Sequence, residues 1–149
     1  MRGRADAPSS DLKAQRAKRA LQLRMAIKNF DDAGRDRARV AQVLRHALAL
    51  LRSGWTQVAA ARNAEMRAVH GADESAVCWH PGGAIVRACV ILQCDWMEGA
   101  IARLIVETLI DANLVAWADT FGRTFDDIET IWLRAIYNAD ALVTAERAA

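Results

Sequence analysis

The residues with the most specific chemistry in this chain are its three cysteines and three histidines, and His70, Cys78, His80, Cys89 and Cys94 fall within one stretch. Zinc is the first chemistry such a set suggests. Structural zinc sites usually take their ligands in two closely spaced pairs, such as Cys-x2–4-Cys. Here Cys78 and His80 are two apart and Cys89 and Cys94 five apart. Five helical residues turn the second thiol by roughly 140° from the first, so convergence on one ion needs a bent or non-helical segment. Neither a metal site nor any other cofactor is expected, and Cys89 and Cys94 read as free thiols that behave as small apolar side chains. Cys78, with His70 or His80 as base and Asp73 or Asp119 to orient it, has the residue types of a nucleophilic centre. Nothing in the order of residues places them together, and no catalytic residue is assigned.

A second constellation could hold an anion. Pro81-Gly82-Gly83 precedes an apolar run, and amides at a helix start, made approachable by glycines, bind anions, with Arg87 one turn on. The segment lacks the spacing and the lysine of a nucleotide-binding loop. Close packing of a helix against Gly82 or Gly83 is the competing explanation. The chain also holds five tryptophans. Trp132 falls on a core stripe, whereas Trp55, Trp79 and Trp117 each flank a helix end, where indoles clamp termini or, gathered at one mouth, stack on a base. Trp79, Gly82, Gly83, Arg87 and Trp117 are therefore the candidate ligand site for a nucleotide-like anion.

The elements that must position these residues read as helices. Residues 1–10 form a polar, flexible arm, followed by a basic helix over 11–35 and a helical core over 36–149. Ala20, Leu23, Ile27 and Phe30 give the first helix a narrow apolar stripe at steps of three and four, so residues 1–29 are expected to contribute little to the core. Asp31, Asp32 and Gly34 then break it. Val40, Val43, Leu44, Ala47, Leu48 and Leu51 make a clear core face on a second helix. Gly54 stands where a left-handed residue ends a helix. Residues 58–69, rich in Ala, Met and Arg, predict a short helix or an irregular crossing. Residues 84–94 are apolar nearly all round, which predicts a central buried helix. Ile101, Leu104, Ile105 and Leu109 line a further helix. The last opens on a capping box at Thr124–Asp127 and runs its face through Ile128, Ile131, Trp132, Ala135, Ile136, Ala139 and Val143. No stretch alternates with period two between hairpin turns. The expected fold is all-α, a single compact helical domain of about five helices with a basic N-terminal helix.

At 149 residues, 53% apolar and 26% charged, the chain is neither disordered nor fibrous. No apolar run reaches the roughly 18 residues of a membrane helix, and the N-terminal stretch lacks the apolar segment of a secretory signal. A cytoplasmic protein without membrane partners is expected. The net charge of +2 hides an asymmetry: residues 1–52 hold 13 Lys/Arg against 5 Asp/Glu, and residues 53–149 hold 7 against 13. Such a chain lays its basic half on its acidic half, pairs with a neighbouring copy, or attracts a polyanion.

Gly54-Trp55, Ala61-Arg62-Asn63-Ala64, Ala76-Val77-Cys78-Trp79 with Gly83-Ala84-Ile85, Trp117-Ala118-Asp119 and Arg123-Thr124 occur in an order that resembles a domain family of unknown function. Its members are small helical proteins of phages and bacteria, particularly actinobacteria. The resemblance spans about residues 44–137. Ala118 stands where the family pattern has Asn, and Glu65-Met66 where it tends to have Gly or Pro. It implies a phage-like setting and brings no activity with it. The reading that follows is a non-enzymatic interaction protein that binds a host protein or its own copies and interferes with a host process such as defence. Arg16, Arg19, Leu23, Arg24 and Phe30 on the first helix would carry that contact. Sequestration of a nucleotide-like anion, or nucleic-acid binding by the Arg-rich helix, are the alternatives.

Overall fold

A computed structural model describes residues 10–148; the expected arm lies outside the described residues except for Ser10. Six helices and a small sheet follow in the order α1 (Ser10–Asp32), α2 (Arg37–Ser53), β1 (Ala61–Asn63), β2 (Ala68–Val69), β3 (Ala76–Trp79), α3 (Pro81–Leu92), α4 (Trp96–Ile110), α5 (Leu114–Ala118) and α6 (Phe125–Ala148). The fold is predominantly helical, not all-α as the sequence reading had it.

The sheet occupies the stretch where helix or an irregular crossing was expected. Its order is β2-β1-β3, antiparallel throughout, with Ala61 opposite both Val69 and Trp79. A side chain makes the reversal: Asn63 Oδ1 accepts the amides of Glu65 and Arg67, and Met66 takes a left-handed φ of 61°. Local side-chain bonds of this kind compete with helix formation, and pairing to β3 then overrides the helix-favouring composition of 58–69. Gly54 also departs from expectation. Its φ of 172° is extended rather than left-handed; glycine is needed there because a Cβ would stand 2.8 Å from the Val77 carbonyl oxygen.

The α2 stripe is buried as its periodicity predicts, and α2 packs against α3, α4 and α6. Asp36 caps it by accepting from the Ala38 amide at 2.9 Å. The Thr124–Asp127 box is reciprocal, each residue's side chain accepting the other's amide, at 3.0 and 3.3 Å. Pro81 separates β3 from α3: His80 is the cap and Pro81 the first helical residue, where its missing N–H costs nothing. Short α5, capped by Asn113, has no counterpart in the sequence reading.

Two further expectations are corrected. Within residues 1–29, Leu23, Ala26 and Ile27 pack half-buried against the core along α4, next to Phe30, which is 1% exposed. α3 is not enclosed all round: Ala84, Ile85 and Ala88 are buried, but Val86, Val90 and Ile91 face outward. An apolar helix face is thus left uncovered by the described residues.

The charge asymmetry resolves within the molecule. Arg16 and Arg19 both reach Asp111 at 2.7 Å. Arg35 holds Asp95 and Glu98 at 2.5 and 3.3 Å, Arg37 meets Glu146 at 3.0 Å, Arg45 meets Asp140 at 2.5 Å and Arg52 meets Glu129 at 2.8 Å. Six arginines of the basic half therefore lie on carboxylates of the acidic half. Pairs this exposed add little stability each, yet they set how α1 and α2 lie across the second half of the fold.

Candidate functional site

The uncovered apolar surface centres on α4. A recess of about 410 Å³ lies between α3 and α4, walled by Val86, Val90, Cys89, Cys94 and Ala100, with Trp96 at one end and Arg103 as the one charged lining residue among the described residues. On the other flank of α4 a second recess, of about 200 Å³, opens toward Ala26 and Asn29 of α1 and again includes Trp96 and Ala100. Trp96 stands between the two, 76% exposed. Leu21 and Met25 are exposed on the α1 ridge that continues to Asn29 at steps of four. The two recesses and Trp96 form one largely apolar surface along α4, bordered by α3 on one side and by Ala26 and Asn29 of α1 on the other.

Local chemistry builds this surface. Gln93, at a left-handed φ of 52°, ends α3, and Cys94 returns its amide to the Cys89 carbonyl oxygen at 2.9 Å. Asp95 then caps α4 through the Trp96 amide at 2.6 Å, which sets the indole at the first helical position. Gly99 lets α3 and α4 close, because a Cβ there would stand 2.9 Å from Cys89 Sγ. Behind this surface, Arg35 holds buried Glu98 by one oxygen, and Oε2 has no hydrogen-bond partner among the described residues. Arg39 donates to the Leu92 carbonyl oxygen at 2.5 Å and so fixes the end of α3. Burial pushes the Cys89 thiol up to about 11, with Cys94 and Glu98 adding to the shift, and burial raises Cys94 as well. Both thiols stay protonated near neutral pH, so the recess is an apolar wall rather than a reactive one.

The five residues of the candidate anion site do not converge. Trp79 is buried, donating from Nε1 to the Gly71 carbonyl oxygen at 3.3 Å. Gly83 packs against Ala60, so close packing explains it. Arg87 is tied to the Ala72 carbonyl oxygen at 3.1 Å, and Trp117 lies under the Arg123 guanidinium at 4.1 Å. Gly82 alone borders the α3–α4 recess, and its amide is taken by His80 Nδ1 at 3.2 Å. Of the first-helix set, Phe30 is in the core and is corrected as a partner contact. Leu23 is half-buried, Arg16 and Arg19 are engaged by Asp111, and Arg24 is exposed.

Trp96 escaped the sequence reading. It sits off the Ile101, Ile105 core stripe of its helix, and Ala100 and Arg103 follow at steps of four and three; a large indole on a face otherwise small or charged is the signal that could have found it.

His80 is not a free base. His80, 3% exposed, accepts from the Gly82 amide at Nδ1 and so carries its proton on Nε2, which donates to Asp119 Oδ1 at 3.1 Å. The same oxygen accepts the Val58 amide at 2.9 Å. Both ring nitrogens are committed, and none is left to activate Cys78. Among the described residues no group of three or more His, Cys, Asp or Glu could hold a metal ion, and no helix is long and apolar enough to cross a membrane. Burial lowers the His80 pKa from its ordinary 6.5, outweighing the opposing pull of Asp119. As pH falls below about 6.5 the unfolded chain takes up a proton that the native state refuses, so stability drops with acidification. Melting temperature should be level above that pH and fall below it, before the carboxylates titrate, and His80→Gln should flatten this slope. An unchanged slope in the variant would assign it elsewhere.

Among curated proteins and solved structures, none matches this chain. A family model does match, over residues 35–138, which takes in the sheet, α3, α4 and the α3–α4 recess. The chain belongs to that family, a family of unknown function designated DUF6197.

Proposed function

We propose that this protein works by binding another protein through the largely apolar surface along α4, and not by turning over a substrate. The observation that carries the reading is Trp96, an indole at 76% exposure flanked on both sides by apolar recesses. Exposed aromatic residues set among recesses are typical anchors of protein interfaces, and a continuous apolar surface is maintained at a cost in solubility unless something covers it. The ion pairing of the basic half favours a protein over a nucleic acid, because six of the arginines that would neutralise phosphates are already matched by carboxylates. A host-cell protein or another copy of the chain is the partner class this face fits, and interference with a host process is the effect such docking would have.

The test places a photo-crosslinking phenylalanine analogue at position 96 of the full chain in cells. Irradiation should yield a covalent protein adduct from position 96 and none from exposed Thr130 on α6. Absence of any protein adduct from position 96 would overturn the reading.

A further inference from the structure

We infer that Cys89 and Cys94 are a dithiol pair that closes to an intrachain disulfide by exchange with a small-molecule disulfide. Along an uninterrupted helix, residues five apart point roughly 140° away from each other, which separates these thiols when only their order is known. The structure supplies the turn that brings them back. Gln93 takes a left-handed φ of 52° directly after α3, its amide bonding the Val90 carbonyl oxygen at 3.2 Å, and the Cys94 amide returns to the Cys89 carbonyl oxygen at 2.9 Å. These two bonds together define a helix end at which the side chains of the two residues now occupied by Cys89 and Cys94 usually meet. Both thiols are free.

The second of those bonds also bounds the span. Standard backbone geometry puts about 2.4 Å between Cys89 Cα and its carbonyl oxygen and about 1.46 Å between the Cys94 nitrogen and its Cα. Added to the bond itself, these hold the two Cα atoms within about 6.8 Å, inside the range a disulfide bridges. Both side chains line the α3–α4 recess, and Cys89 Sγ lies over Gly99 of α4, where a Cβ would stand 2.9 Å from it. Cys78, on β3, lies outside that recess. The charged neighbours differ between the two thiols. Glu98 adds to the rise in pKa at both, whereas Arg39 and Arg35 oppose it at Cys94, and at Cys89 the opposing group is the Gly99 amide. Cationic neighbours make Cys94 the attacking thiol. Its thiolate attacks one sulfur of the external disulfide and expels a thiolate, leaving a mixed disulfide; the Cys89 sulfur then attacks the Cys94 sulfur and expels the second. The two protein protons end on the two released thiols, and the two electrons given up by the protein sulfurs reduce the external disulfide. Because both thiols stay protonated near neutral pH, closure is slow there and quickens as pH rises toward about 11. The bridge is uncharged, so it sits in the apolar wall without burying a charge, and it ties the end of α3 to the turn that carries Asp95 and Trp96.

The test equilibrates the full chain with graded ratios of oxidised to reduced glutathione at mildly alkaline pH, then quenches with acid, alkylates and digests with trypsin. Arg87 and Arg103 bound a tryptic peptide, residues 88–103, that holds both thiols and excludes Cys78. From the folded protein this peptide should emerge unalkylated and lighter by two hydrogens. The same chain in concentrated urea should need a ratio about tenfold or more further toward the oxidised form, since a short unfolded segment offers only about millimolar effective concentration. Cys89→Ser and Cys94→Ser should each abolish the two-hydrogen loss, leaving the remaining thiol alkylated or joined to one glutathione. Closure no easier in the fold than in urea, or a folded peptide that carries two glutathiones instead of a bridge, would overturn the pair.

Discussion

Trp132→Ala is expected to remove most of the stability of the fold. The indole is fully buried at the centre of α6, facing α2, and its Nε1 donates to the Leu44 carbonyl oxygen at 2.9 Å. Truncating a large buried aromatic costs about 3–5 kcal/mol, part of it lost transfer free energy and part the cavity left behind. A domain of this size has only about 5–15 kcal/mol in total. Ile128 and Ala135, also fully buried on the same face of α6, belong to helical backbone and cannot move inward without breaking the reciprocal cap at Thr124 and Asp127, so relaxation into the void is limited. Trp132→Phe keeps most of the bulk and loses the N–H donor, and should cost less, about 1–2 kcal/mol for a lost hydrogen bond and a small void. Urea unfolding of the three proteins side by side measures both steps. Equal stabilities for the Ala and Phe variants would show that the hydrogen bond, and not the volume, is what matters at this position.

That core was readable from residue order because it depends on short-range periodicity. Val40, Val43, Leu44, Ala47 and Leu48 return to one face every three or four positions, as do Ile128, Trp132, Ala135 and Ala139, and all are buried. Capping is equally local, which is why Thr124–Asp127 was found. The sheet was not, because β1 spans three residues and β2 two, too short for an alternating pattern, and the strand that completes it, β3, joins β1 from 13 to 18 residues further along the chain. The candidate site was missed for a related reason. Whether an apolar helix is covered depends on how many neighbours reach it, and α3, apolar nearly all round, receives neighbours on only part of its surface. Composition therefore pointed to burial where the fold leaves Val86 and Val90 open. Sequence likewise joined Trp79, Gly82, Gly83, Arg87 and Trp117 by their types, but a glycine that admits an anion and one that admits a backbone look alike until the neighbour is seen.

The two glycines at the start of α3 should separate in opposite directions, and this is the sharper test of that packing. At Gly83 an added Cβ would lie 1.9 Å from the Ala60 carbonyl oxygen, an overlap that only movement of backbone can relieve. That oxygen also accepts the His80 amide at 2.9 Å, so displacing it breaks the bond that joins the approach to β1 to the cap of α3. Gly71 is drawn into the same joint, since its own Cβ would stand 2.8 Å from the Gly83 carbonyl oxygen. Gly83→Ala therefore combines overpacking with a lost buried hydrogen bond and should destabilise by about 3 kcal/mol, the upper end for a single inserted methyl. At Gly82 the nearest atoms to a new Cβ are His80 Nδ1 at 3.7 Å and an Arg103 guanidinium nitrogen at 3.9 Å, both ordinary contacts. Its backbone is helical, so Gly82→Ala loses nothing in the native state and narrows the unfolded ensemble, for a gain of about 0.4–1 kcal/mol. Thermal and urea unfolding of the two variants should bracket the parent protein. If Gly83→Ala were as stable as the parent, the contact between α3 and the Ala60 backbone would have to be looser than the geometry here requires, and Gly83 would again be open to a ligand.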